Sequence, residues 1–404
     1  MSEYLQNRNG IIDSLFEFSL GIIHGEKGSE LLKKYENLLS QVYPEDVLIV
    51  VDKLVGTGED MELLKTGINK VLNVLYTTIN EIESPVYPKN HFLELMLREN
   101  TELDQRLKSI KPLNRLFNKL SDPVELKEAY AGLKAKLIDL QSFHVHYIRK
   151  ENILFPVVEK LRDDHRCLSM MWSFHDDIRR ILKSLIALLE KAEPDKKALN
   201  SLLGDLFFKM YAIRFREEKI LFPVIYPHVS GDEWNDMLMQ SAEIGYAWIK
   251  SPDNYKLTTA LFPDGSGLQD AEVDLGTGKI RASQLMMLFR HLPVDITYID
   301  KDDRVVFYSD PPHRIFPRLK AVIGRTVQNC HPPESVSIVN DLLDAFRAGQ
   351  KQKESFWINM RGKVILIEYF ALKDAEGAYA GTIEVSQDVT TIKNLKGEKR
   401  LLDM

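Results

Sequence analysis

Two nine-residue segments carry the residue types best suited to chemistry. RKENILFPV at 149–157 and REEKILFPV at 216–224 agree at seven of nine positions, at an offset of 67 residues. Arg149 matches Arg216, Glu151 matches Glu218, and Ile-Leu-Phe-Pro-Val is common to both. Two helices that finish alike point to a pseudo-twofold arrangement, each proline bending or ending its helix. Histidines and carboxylates projected inward from facing helices can hold metal ions. Residues four apart on a helix share a face; residues five apart do not. His146 is therefore co-facial with Lys150 rather than Glu151, and at the related place Ile213 is co-facial with Glu217. His91 opens a helix among Phe92, Leu93 and Leu95. His175 lies in MWSFHDDIRRIL beside Met171, Trp172 and Ile178. Both can face inward. His144 points elsewhere, and His165 and His228 read as solvent-exposed.

Helices must position these side chains. Ser121-Asp122-Pro123 starts one, a capping residue before a first-turn proline. The spacing continues it through Leu133, Leu137, Leu140, Phe143 and Tyr147 to about Lys160. Further helices are predicted over 89–107, 168–190 and 196–221. Short connections make neighbours antiparallel, so residues 85–250 read as a four-helix bundle. Residues 1–84 read as a separate region of amphipathic helices, with Ile11, Ile12, Leu15, Phe16 and Val47, Val50, Val51, Leu54 at helical spacing. No chemistry is evident there; His24 beside Gly25 reads as a surface side chain.

Residues 251–280 are rich in Gly, Pro, Ser, Asp and Thr and read as a linker with room for one short ordered element. From 281 to 395 the pattern changes. A short helix at 284–289 precedes alternating residues at 294–299, a turn at Asp300–Asp303, and a second strand at 305–308. Helical segments follow, notably 336–348. Strands are predicted at 354–360, 363–372 and 379–389, with Asp374–Gly377 as a hairpin turn. The fold class is thus multidomain: an all-α N-terminal region and four-helix bundle, then an α+β domain with a five-stranded antiparallel sheet. Residues 396–404 form a tail.

Composition narrows the function. At 404 residues the chain is expected to hold two or three domains. A net charge of −6 gives no footprint for nucleic acid. No run of apolar residues is long enough for a transmembrane helix, so no membrane insertion is expected. The first residues lack a basic region and a small-residue cleavage site. Two cysteines, Cys167 and Cys330, make neither a disulfide framework nor a thiolate zinc site. The expected compartment is the cytoplasm.

HYIRKENILFP, FHDDIR and REEKILFP resemble the hemerythrin-like, or HHE cation-binding, domain. That resemblance implies a non-haem di-iron centre with histidines on several helices and His-x-x-x-Glu before Leu-Phe-Pro on two. Aligned by Leu-Phe-Pro, it places His146 and Glu217 as metal ligands, with His91 and His175 as the histidines of the other two helices. Two positions depart from it. Lys150 stands where the first copy has its glutamate, and Ile213 where the second has its histidine. Glu151 and Glu218 follow in the chain. A regular helix turns them about 100° from the ligand position, where they would support ligands rather than bind. Two readings stand. One is a reduced site of His91, His146, His175 and Glu217, mononuclear or dinuclear, suited to Fe, Mn or Zn. The other is metal-free, with Lys150 paired to Glu217 and Ile213 in the core.

LPVDITYIDKDDRVVFYS, AVIGR and a last strand ending Gln387-Asp388-Val389-Thr390 resemble a PAS domain. That resemblance implies haem, flavin or metabolite binding, or pairing with another PAS domain. GRTVQNCHPP differs in spacing from the flavin photosensor motif, and His331 before Pro332-Pro333 reads as a turn residue rather than a haem ligand. The ligand is left unassigned. The order of the three parts is similar to that of bacterial hemerythrin-like proteins with an uncharacterised N-terminal helical domain and a C-terminal PAS domain. The function expected is a cytoplasmic sensor rather than an enzyme. Its bundle would respond to iron, oxygen, nitric oxide or redox state. Homodimerisation through PAS and an unidentified protein partner would supply output. Repair of iron centres after oxidative or nitrosative stress, and a metal-free interaction scaffold, are the alternatives.

Overall fold

A computed structural model describes residues 2–252, 272–316, 318–360 and 362–398. The chain divides into two compact units, Met1–Lys256 and Leu257–Met404.

The first unit is helical. It runs α1 (Ser2–Ile23), α2 (Gly28–Leu39), α3 (Pro44–Val55), α4 (Met61–Glu81), α5 (Phe92–Lys119), α6 (Pro123–Gln141) and α7 (His144–Arg149). It continues through α8 (Phe155–Leu161), α9 (Cys167–Leu189), α10 (Lys196–Arg216), α11 (Phe222–Ile225) and α12 (Gly231–Ile244). Aspartates start three of these helices. Asp60, Asp122 and Asp195 each accept hydrogen bonds from two backbone N–H groups of the first turn. A cap of this kind is worth about 1 kcal/mol.

Two helices depart from the periodicity. α5 begins later than expected, at Phe92, because Asn90 takes a left-handed conformation (φ 63°) and His91 becomes the capping residue. It also continues past Pro112 to Lys119, with Ile110 and Phe117 fully buried on either side. The helix expected to run unbroken to Lys160 is interrupted at Ser142 and Phe143 and then changes pitch. Lys150–Leu154 is a π-helical turn, Phe155 N–H donating to the Lys150 carbonyl. The second copy repeats it: Glu217–Leu221 is π-helical, and Phe222 N–H donates to the Glu217 carbonyl. A proline ring collides with the carbonyl four residues back in a regular helix. A wider turn ahead of Pro156 and Pro223 relieves that collision, so each helix bulges instead of ending.

α5, α6, α9 and α10 close a four-helix ring: α5 packs on α6 and α10, and α9 packs on α6 and α10. Leu133, Leu137 and Leu140 of α6, Ile178 and Leu185 of α9, and Leu199, Leu203, Leu206 and Met210 of α10 are fully buried between them. Each such side chain contributes about 1.5–3 kcal/mol. α3 rests on α9 and on the second π turn. Asp52 accepts from the backbone N–H and the guanidinium of Arg166. From α4, buried Lys65 donates to Asp177 Oδ2 at 2.7 Å and Ser173 Oγ at 3.0 Å. Gly67 lets α1 approach α4, since a Cβ there would lie 2.2 Å from Ile23 Cγ1.

The second unit opens with a hairpin, β1 (Glu272–Asp274) and β2 (Lys279–Arg281), followed by α13 (Ala282–His291). Residues 253–271 of the expected linker lie outside the described residues, as do 399–404 of the tail. Next come β3 (Asp295–Asp300), β4 (Val305–Tyr308), α14 (Pro333–Arg347), β5 (Lys353–Met360), β6 (Lys363–Lys373) and β7 (Tyr379–Asp388). The five longer-range strands form one antiparallel sheet in the order β4-β3-β7-β6-β5. Alternation buries Ile299 of β3 with Val327 and with Leu343 of α14. Gly324 has φ +80° and gives its N–H to the Val305 carbonyl at 2.8 Å. At the sheet end, Thr390 Oγ1 donates to Asp388 and accepts from Val364 N–H, which ties β7 to β6.

Candidate metal centre

The core of the bundle is filled by charge. Lys150, the first residue of the first π turn, is completely buried. Its Nζ donates to Glu217 Oε1 and, at 3.0 Å, to His175 Nε2. It also lies 4.7 Å from the centre of the Tyr147 ring. Glu217, the first residue of the second π turn, accepts at Oε2 from Asn100 Nδ2 and faces His146 Nε2 at 3.2 Å. His146 Nδ1 lies 2.9 Å from Glu99 Oε2, and Glu99 also accepts from Arg149 and from Ala247 N–H.

His175 has a defined tautomer. Its Nε2 takes a proton donor from Lys150, so its own proton sits on Nδ1 and goes to Glu151 Oε1 at 2.8 Å. Burial, then the neighbouring ammonium, push its pKa well below the usual imidazole value. Glu151 also takes both oxygens to Arg179 at 2.7 Å. Burial outweighs that guanidinium and raises the Glu151 carboxyl to about 7. Burial would raise Glu217 too, but the Lys150 charge and the His146 contact hold it down at about 2. Lys150 itself is lowered, chiefly by burial.

The structure therefore brings together His146, His175, Lys150 and Glu217. Ile213 lies one turn before Glu217 and is buried. Glu151 accepts from His175 Nδ1 at 2.8 Å. Glu218 is half-buried and pairs instead with Arg214 at 2.7 Å. His91 stands apart. Its Nδ1 accepts from Leu93 N–H as the cap of α5, and its ring stacks among Tyr87, Tyr226 and Trp234. None of these contacts is with the other three residues. Glu99, Asn100 and Ala247 are functional parts that sequence reasoning missed. A signal existed: Glu99 and Asn100 fall on the buried stripe of Leu95, Met96 and Leu103.

The residues do not fit a metal ion as the resemblance implies. Glu217 Oε1 and His175 Nε2 are both committed to the Lys150 ammonium, and Glu217 Oε2 to His146 and Asn100. Among the described residues, no group of three or more His, Cys, Asp or Glu side chains is placed to hold a metal ion. The Lys150 ammonium instead joins Glu217 to His175, two of the side chains the resemblance assigns as ligands.

In the PAS-like unit, Cys330 ends a 3-10 turn and His331 Nδ1 donates to the Val327 carbonyl at 2.7 Å. The face of the sheet that carries Ile299 also buries polar groups: Asp295, Thr297, Thr382, Glu384 and Ser386. No helix among the described residues is long and apolar enough to cross a membrane.

Comparison with known proteins agrees with both halves. Residues 91–231 match the hemerythrin HHE cation binding domain, and residues 285–390 match the PAS domain family. The chain thus carries a hemerythrin HHE domain followed by a C-terminal PAS domain. Among solved structures, a C-terminal domain from Streptococcus mutans is 30% identical, covering 32% of this chain and 100% of that one, with TM-score 0.30. The PAS domain of a Colwellia psychrerythraea protein is 16% identical (27% and 97% covered, TM-score 0.23). A sensory box sensor histidine kinase from Vibrio cholerae is 14% identical (27% and 92%, TM-score 0.22). No curated protein matches the chain.

Proposed function

We propose that this is a regulatory protein whose hemerythrin-like bundle works with an internal ammonium in place of a metal. Its PAS domain passes the signal through a second copy of the chain. The observation that supports the metal-free reading is the position of Lys150, bonded at once to Glu217 and His175. Three carboxylates, Glu99, Glu151 and Glu217, meet Arg149, Arg179 and Lys150, so charge is balanced without a metal. A site of this kind has no open ligand position at which oxygen or nitric oxide could bind iron. The bundle then serves as a folded interaction module, and detection falls to the PAS domain or to a protein partner.

Pairing is supported by α13, which leaves Met286, Met287 and Leu288 each more than half exposed. An apolar strip of that kind suits a second copy. Two measurements on the full chain test the reading. Elemental analysis after anaerobic purification should find iron, manganese and zinc well below one equivalent. Sedimentation should find a dimer. Stoichiometric metal would overturn the first half, and a monomer at high concentration the second.

A further inference from the structure

We propose that a cleft between α4 and α10 binds a small organic carboxylate with an apolar body, its carboxylate seated on Arg216.

Arg149 and Arg216 occupy equivalent positions, each the last residue of an α-helix before a π turn. Both are buried, at 0% and 7% exposure. Both guanidinium groups lie over an aromatic ring, Arg149 over Tyr246 at 4.4 Å and Arg216 over Phe174 at 4.5 Å. They differ in one respect. Arg149 is met by the carboxylate of Glu99. Arg216 is met by a neutral amide, its Nη2 donating to Asn69 Oδ1 at 2.6 Å, and among the described residues no carboxylate pairs with it. A buried cation without an anion is costly to hold, and a bound anion would offset that cost.

Arg216 and Asn69 line a cleft of about 240 Å³. That is a little below the range of drug-sized sites, about 300–1,000 Å³, and suits a small acid. Asn73, one turn along α4, adds a second amide to the lining. Tyr76, Phe208 and Phe215 add aromatic walls. The rings of Tyr76 and Phe215 are 5.1 Å apart, tilted by 30°. Tyr76 is 53% exposed and Phe208 44%, so these walls present apolar surface with nothing seated on it. A guanidinium accepts a carboxylate in a planar, two-bond arrangement. The first repeat supplies that carboxylate from within the chain; the second leaves its place to a ligand whose body lies on the rings.

Calorimetric titration of the full chain with phenylacetate, indole-3-acetate and octanoate tests the proposal. At least one of these acids should bind saturably at about one site per chain, the count expected for binding at Arg216. Its uncharged amide should bind at least about tenfold more weakly, the loss expected for a charge-assisted pair. Asn69→Asp places a carboxylate beside Arg216 from inside, as Glu99 does for Arg149. It should raise the melting temperature of the free chain and abolish binding of the acid. Phe208→Ser, at an exposed position, should leave melting unchanged and weaken the acid. Absence of saturable binding by all three acids, equal affinity for acid and amide, or undiminished binding to Asn69→Asp would overturn the proposal.

Discussion

A buried ammonium is stable only where carboxylate, lone pair and ring faces surround it. Lys150 has all three: Glu217 Oε1, His175 Nε2 and the Tyr147 ring. Removing one partner of such a pair costs more than removing both, because the survivor is left charged in the core. Lys150→Met should therefore lower unfolding free energy by about 3–5 kcal/mol. Lys150→Met with Glu217→Leu should recover most of that loss. Urea denaturation of the two variants measures the difference, and equal losses would remove Lys150 from its structural role. This part of the site was legible because the repeat aligned Lys150 and Ile213 against Glu217 and His146. Glu99 was legible only as a member of the buried stripe with Leu95 and Leu103, not as a partner of His146. In LRENTELD it looks like one helix charge among several, and only the tertiary approach of Arg149 and Ala247 turns it inward.

At the scale of elements, the π turns decide which side chains meet. Spacing arguments assume a constant 3.6-residue turn, and that assumption fails at Lys150–Leu154 and Glu217–Leu221. Glu151, off the ligand face by that count, accepts from His175 Nδ1. Helix starts were legible where an aspartate cap stood before a periodic run, as at Asp122. The placement of α3 and α4 was not, because Lys65 in MELLKTGINK reads as an ordinary surface lysine. In the fold it is 2% exposed and bonded to Asp177 and Ser173 of α9. Lys65→Met should lower stability by about 1–3 kcal/mol, since Asp177 loses a buried charged donor. Asp177 keeps Lys209 and Arg180 as partners, which places the expected cost below that at Lys150. Hydrogen exchange should show α3 and α4 opening together in this variant. An unchanged exchange pattern would contradict the inferred link to α9.

At the scale of the molecule, the two compact units divide the work. The sheet order β4-β3-β7-β6-β5 was anticipated in class, since alternation, the Asp374–Gly377 turn and Asp388-x-Thr390 are local signals. The β1–β2 hairpin ahead of it was legible only as a short ordered element, because Glu272–Arg281 has few apolar residues and its strands are exposed. A fragment spanning Leu257–Met404 should fold alone, as its sheet encloses its own core. Leu288→Glu should shift the full chain toward monomer without changing its helical circular dichroism; an unchanged dimer would exclude α13 from the contact.

The central claim is that an ammonium holds the cation's place. Its most direct test is iron loading of the wild type beside Lys150→Glu with Ile213→His, using anaerobic ferrous iron followed by air. That double change restores the two missing ligand types at positions the repeat already aligns. The account predicts no stoichiometric iron in the wild type. In the double variant it predicts a rise toward about two irons per chain, with the near-ultraviolet absorption of an oxo-bridged ferric pair. One or two tightly held irons in the wild type would contradict it.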